Sequence, residues 1–307
     1  MPQYDHHPFL TGVPLGHPLY RSVFTLVGRH DGKSYPTGTA CLIAPNYLVT
    51  AKHIFRHLKK EVAGLNIDET SPEIQESSEG PDWDILTEYG IGLEALRIHD
   101  DGHKQVFVVT GYVHIKIKTT DLAILRIEPH YGYQQPKRID WHSLTLDLIP
   151  PKAGTKIVGY GYPDHPDYRL EHPDYFLTDH FAYQSTGEVL QVNLENNIRN
   201  FHTTMLTESG LSGGPVFVRR AGGYVCCGII SKGGAAYSSI APLWQLAWGM
   251  TDPLPGLPSR DGKVFFADLM HSGIIQTLGS EHITVFNKAG FGLHCRFDDE
   301  ALLKHGY

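Results

Sequence analysis

The stretch Thr207-Glu208-Ser209-Gly210-Leu211-Ser212-Gly213-Gly214-Pro215-Val216-Phe217, TESGLSGGPVF, sets a serine among three glycines and follows it with a proline and an apolar run. Glycine permits backbone angles and close approaches that a β-carbon forbids. Such a run can hold a serine hydroxyl in the open while turning nearby amides toward one point, the arrangement that an activated nucleophile and an oxyanion site require. The same residues are also ordinary turn material, so the rest of the chain must decide between the two readings.

The 307 residues are 41% hydrophobic, enough for one large domain or two smaller ones with a real core. Apolar runs are short and numerous, 32 glycines and 20 prolines punctuate them, and long helical periodicity is scarce, which predicts an all-β architecture. A formal net charge of −7 with no basic stripe argues against nucleic acid as a partner. No apolar span reaches membrane length, and the N-terminal residues show no basic segment followed by an apolar run, so neither a membrane nor a secretory route is expected. A cytoplasmic location is the expectation. Cys41, Cys226, Cys227 and Cys295 have neither the spacing of a disulfide framework nor that of a zinc site.

Five runs read as strands of a first β-unit: Ser22 to Val27, Thr39 to Ile43, Tyr47 to Val49, Gln105 to Ile117 and Leu122 to Ile127. Six more read as a second: Ile157 to Tyr160, Glu188 to Val192, Phe201 to Leu206, Pro215 to Val218, Tyr224 to Ser231 and Ala235 to Ile240. The interval from Glu61 to Asp101 holds twelve acidic residues against one basic, Arg97, and reads as an acidic insertion. It lacks EF-hand spacing, so solvated surface is the reading and no metal is assigned. His165-Pro-Asp-Tyr168 is echoed by His172-Pro-Asp-Tyr175, where the prolines favour a long exposed loop over metal ligation. Beyond Met250 a Pro/Gly-rich segment leads to a helix expected around Phe265 to Leu278.

A nucleophilic serine needs a base, and the base needs a partner that holds its tautomer. Of 19 histidines, His53 stands out because Gly38 to His53 reads as a strand, a Pro-Asn turn and a second strand ending in the histidine. Asp121 heads the apolar run Leu122-Ala123-Ile124-Leu125, where a carboxylate would be desolvated enough to orient an imidazole.

With Thr50-Ala51-Lys52-His53, Asp121-Leu-Ala-Ile-Leu125 and Gly210-Leu-Ser-Gly-Gly-Pro215 in that order, the chain resembles the trypsin-like (chymotrypsin-fold) serine peptidases, in particular their intracellular or bacterial-type branch. The corresponding family motifs are T-A-A-H, D-I-A-L-L and G-D-S-G-G-P. Val158-Gly-Tyr-Gly161 and Gly228-Ile-Ile-Ser231 are similar to further family segments, and the resemblance spans about residues 20 to 250. It implies two six-stranded antiparallel β-barrels with the active site between them. It implies an N-terminal arm (1–19), a first barrel (20–135) that includes the acidic insertion (61–101), a second barrel (136–250) and a C-terminal extension (251–307). Ser212 is then the nucleophile, His53 the base and Asp121 its orienter, with the amides of Gly210 and Ser212 as the oxyanion hole. Leu206 and Thr207 would line the pocket for the residue before the cut, Leu206 as its floor. Ser231, Lys232 and Gly233 would pair with an extended substrate, Gly233 leaving the pocket entrance open.

Departures from the family pattern carry their own expectations. Ile54 and Glu208 occupy positions where secreted members have cysteines, so the family disulfides are not expected. Leu211 replaces the aspartate that zymogen-type members pair with a newly cut N-terminus, and no I-V-G-G-like start is present, so activation by trimming is not expected. The implied activity is a cofactor-free serine endopeptidase acting on a protein or peptide substrate, with a narrow range or a regulatory protein partner. A catalytically silent peptide-binding module and an esterase with the same triad are the alternatives.

Overall fold

The structure, a computed structural model, describes residues 9–62, 86, 90–98, 103–115, 120–132, 139–163, 181–191, 200–233, 236–253, 256–259, 261–287 and 291–295. Its first barrel comprises β1 (Val23–His30), β2 (Lys33–Ala44), β3 (Tyr47–Ala51), β4 (Gly92–Ile98), β5 (Lys104–Ile115) and β6 (Leu122–Pro129). All pairings are antiparallel, in the order β5-β4-β1-β2-β3-β6, and β6 closes the ring on β5. The second barrel comprises β7 (Lys156–Gly161), β8 (Tyr183–Gln191), β9 (Phe201–Thr203), β10 (Pro215–Arg220), β11 (Gly223–Lys232) and β12 (Ser238–Pro242). Its antiparallel ring runs β10-β7-β8-β9-β12-β11 and closes through β10 and β11. Closure leaves neither ring with a free edge.

The alternation of side chains along each strand divides most of the apolar residues among three large cores, with Val27, Leu96 and Val106 in a small fourth. On β2, Ala40 and Leu42 face the first barrel's interior with Phe24, Leu48, Ala51, Phe107 and Leu125. Cys41 and Ile43, one residue out of phase, join Val23, Val49 and Ile124 in a core shared with Cys226, Ile229 and Ala241 of the second barrel. The near-continuous apolar run of β2 is therefore a strand buried on both faces. The second barrel's interior holds Ile157, Val189, Phe201, Met205, Val216, Ile230 and Ile240.

Sequence beyond the second barrel enters the shared core. Gly249–Thr251 pairs with β5 and with Val264–Phe265, while Val264, Phe266, Leu269, Met270 and Ile275 pack between the barrels. Thr277–Leu278 runs parallel to Leu146–Asp147, which in turn bonds to β11. Near the other terminus, Thr11–Gly12 pairs with β8.

Several expected boundaries shift. The interval 61–101 is not wholly an insertion, because β4 lies inside it and is an integral stave of the barrel. Within β4, Glu94 is matched from outside the interval: Arg29 donates to it at 2.9 Å. The interval's one basic residue, Arg97, is buried, donating to Gln105 Oε1 at 2.6 Å and to the carbonyls of Arg21 and Asp140 at 2.6 and 2.8 Å. The strand expected over Phe201 to Leu206 ends at Thr203, that over Ala235 to Ile240 starts at Ser238, and the helix α2 is only Phe266–His271. The repeated His-Pro-Asp-Tyr segments and residues 63–85 of the acidic run lie outside the described residues.

Cys41, Cys226 and Cys227 are buried free thiols. Burial pushes the Cys41 and Cys227 thiols well up, and Cys226 beside Cys41 adds to the rise there. Raised, buried thiols are poor nucleophiles and poor reductants. Strong reductant is therefore expected to leave the melting temperature and any activity unchanged, whereas a native disulfide typically contributes about 2–5 kcal/mol. A drop of several degrees in a reduced thermal scan would overturn this and point to a pairing through one of these cysteines or Cys295.

Candidate active site between the barrels

Register brings the first two residues together. β3 and β6 pair with Ala51 opposite Leu122, so residues just past the end of β3 meet those just before β6. The Lys52 amide donates to the Asp121 carbonyl at 2.6 Å, and the His53 amide donates to Asp121 Oδ1 at 2.9 Å. His53 does not end a strand as expected; it opens α1 (His53–Val62), the strand stopping at Ala51. The β2–β3 turn that sets this hairpin places Asn46 at φ 67°, a conformation asparagine tolerates.

The side chains then form one line. His53 Nδ1 lies 2.9 Å from Asp121 Oδ2, and His53 Nε2 lies 3.0 Å from Ser212 Oγ. With the carboxylate as an acceptor, Nδ1 carries the imidazole proton and Nε2 is left free to accept one. His53 and Asp121 come from the first barrel and Ser212 from the loop between β9 and β10 of the second, so the line crosses the seam. All three remain partly exposed.

The serine loop is clamped by Thr39 of β2. The Thr39 amide donates to the Ser212 carbonyl at 2.8 Å, its hydroxyl donates to the Gly210 carbonyl at 2.8 Å, and the same hydroxyl accepts from the Tyr162 amide at 2.9 Å. Thr50 Oγ1 donates to the Thr39 carbonyl at 2.6 Å. On the other side Gly213 donates to Ile230 and Ile230 to Gly214, at 2.8 and 2.9 Å. Gly213 sits at φ 85°, and a β-carbon there would meet the Thr39 carbonyl oxygen at 2.0 Å, so only glycine fits. Leu211 is fully buried in the second barrel's core. A hydrophobic anchor thus occupies the place where the resemblance would put an ion-paired aspartate. The amides of Gly210 and Ser212 have no partner among the described residues.

Three residues escaped the sequence reading or were given another part. Thr39 carries no linear signal of its contact with Gly210, 171 positions away. Ser231, expected to pair with substrate, donates its hydroxyl to Asp121 Oδ2. Asn200 Nδ2 donates to Ser231 Oγ at 3.0 Å. None of these is recoverable from local pattern, since each depends on a loop or strand from elsewhere.

Of the residues expected at the specificity pocket, Leu206 is half-buried, Lys232 and Gly233 are exposed, and Thr207 is buried. A β-carbon on Gly233 would lie 1.8 Å from Thr207 Oγ1. The Thr207 hydroxyl fills that space and lies 2.9 Å from Ser238 Oγ, which donates to the Met205 carbonyl at 2.6 Å.

Two closed six-stranded antiparallel barrels, with few helices, constitute a chymotrypsin-like fold. No protein-family model and no curated protein sequence matches the chain. Among solved structures it is similar to an inactive form of Rv3671c from M. tuberculosis H37Rv carrying a serine-to-alanine mutation, at 16% identity and a TM-score of 0.42, over 77% of this chain and 92% of that one. An overlap of this extent reports a partial likeness of shape and says nothing of activity. Among the described residues no helix is long and apolar enough to cross a membrane, and no group of three or more His, Cys, Asp or Glu side chains is placed to hold a metal.

Proposed function

We propose that the chain is a serine endopeptidase working through an acyl-enzyme. The observation that carries this is the unbroken line from Asp121 Oδ2 through His53 to Ser212 Oγ, with links of 2.9 and 3.0 Å. His53 Nε2 takes the Ser212 proton as Oγ bonds to the carbonyl carbon of the scissile peptide, and the carbonyl π electrons move onto oxygen. The Gly210 and Ser212 amides hold that oxyanion, while Asp121 stabilises the imidazolium. Collapse of the tetrahedral species breaks the C–N bond, and His53 returns the proton to the leaving amine. Water then repeats the sequence against the acyl-serine, His53 again taking and returning the proton. The Thr39 clamp and the buried Leu211 support an oxyanion loop already ordered in the free chain.

The reading places the enzyme in the cytoplasm, with a protein or peptide substrate of narrow range. The buried free thiols support it, since they suit a reducing compartment. A fluorophosphonate probe is expected to label the native chain once. Ser212→Ala is expected to abolish labelling and peptide cleavage while leaving the thermal transition nearly unchanged. Labelling that survives in Ser212→Ala would put the nucleophile elsewhere, and a native chain that neither labels nor cleaves would favour a peptide-binding module.

A further inference from the structure

We infer that Asn200 is a positioning residue for the proposed nucleophile, acting through Ser231 and Asp121. Ser231 Oγ is the junction: it accepts from Asn200 Nδ2 at 3.0 Å and donates to Asp121 Oδ2. A hydroxyl has one proton and two lone pairs. Asp121 as a carboxylate can only accept, so the Ser231 proton points to it, and the Asn200 group facing Ser231 is the NH2. The reversed amide would put two acceptors, Asn200 Oδ1 and Asp121 Oδ2, against a single proton.

Asn200 therefore leaves the Ser231 hydroxyl one direction in which to donate. That donation is the third made to the Asp121 carboxylate, after the His53 amide on Oδ1 and His53 Nδ1 on Oδ2. With both oxygens engaged, the carboxylate cannot swing away from the imidazole, and His53 is held toward Ser212. Ser231 is buried, so water is poorly placed to do this work instead. Asn200 lies at the mouth of β9, where Phe201 is locked into the second barrel's core. The chain Asn200–Ser231–Asp121–His53–Ser212 thus reaches from the second barrel into the first and back.

The inference rests on the peptidase reading, and a double-mutant cycle separates the two. Asn200→Leu removes the donor, and Ser231→Ala removes the junction. Each is expected to lower kcat about tenfold with KM within about twofold, the effect of one lost orienting hydrogen bond. The double variant is expected to be no slower than Ser231→Ala alone, because Asn200 acts only through Ser231. Asn200→Asp keeps the size but, as a carboxylate, offers only acceptors, drawing the Ser231 proton away from Asp121, and is expected to be slower than Asn200→Leu. Additive losses in the double variant, or Asn200→Asp at the native rate, would overturn the assignment. The same cycle is read by proton NMR on the His53 Nδ1–H resonance, which reports the bond to Asp121 without any turnover. If the native chain cleaves nothing yet the resonance moves non-additively, the positioning role stands and the peptidase reading fails. A resonance unmoved by Asn200→Leu and Asn200→Asp removes the positioning role whatever the activity.

Discussion

Asp121→Asn is expected to retain the fold and lose on the order of 10⁴-fold in turnover, the loss this substitution causes in trypsin-type triads. The reason lies in the donors that converge on the carboxylate. Oδ1 accepts from the His53 amide, while Oδ2 faces both His53 Nδ1 and the Ser231 hydroxyl. An asparagine has one acceptor oxygen and one donor NH2. With its NH2 toward His53 Nδ1, the imidazole proton moves to Nε2, where it can no longer receive the proton of Ser212. With its oxygen there, the NH2 confronts the His53 amide and the side chain is pushed out of line. Steady-state kinetics on a peptide substrate, together with a thermal scan, check this. A loss below tenfold would mean that another carboxylate orients His53.

Cleavage is expected after small apolar residues, with arginine and lysine the poorest. Thr207 fills the space beside Gly233, and the half-buried Leu206 offers no charge to pair with a cation. Burying an unpaired ammonium or guanidinium costs several kcal/mol, and a single methylene that does not fit is worth about 10- to 200-fold. Alanine before the cut is therefore expected to outrun arginine or phenylalanine by more than about 10²-fold. Thr207→Gly is expected to raise cleavage after larger apolar residues at least about tenfold while changing cleavage after alanine less. Ser238 keeps its bond to the Met205 carbonyl in that variant, so the loop has an anchor left. A randomised peptide library profiles both proteins. Dominant cleavage after arginine or lysine by the native chain would sink the pocket assignment.

Most strands were legible because their signal is local. The two-faced burial of β2 appears as a continuous apolar run, and Leu122 to Ile127 reads as a strand for the same reason. β4 was missed because its signal is not local. Glu94 and Arg97 make it look solvated, and the groups that satisfy them, Arg29, Gln105 and the Asp140 carbonyl, come from other strands or from the connection between the barrels. A charge inside a half-buried strand is invisible as such until its partner is known.

At the candidate site the division has the same cause. His53, Asp121 and Ser212 could be named from the chain alone because each sits in a short motif and the three resemble, in order, those of the trypsin-like serine peptidases, although His53 opens α1 where a strand end was expected. Gly213 belongs there by conformation as well as by crowding, and both leave a mark in the sequence. What folding decided is every relation between distant segments. Thr39 holds Gly210 from 171 residues away, Ser231 reaches Asp121 across 110, and Asn200 reaches Ser231 across 31. Thr207 fills the space beside Gly233. These contacts join one hydroxyl or amide to one acceptor, with no period and no composition to announce them. They exist only because two closed barrels, pressed together along an apolar seam, bring the loops and strand ends of both to the same place.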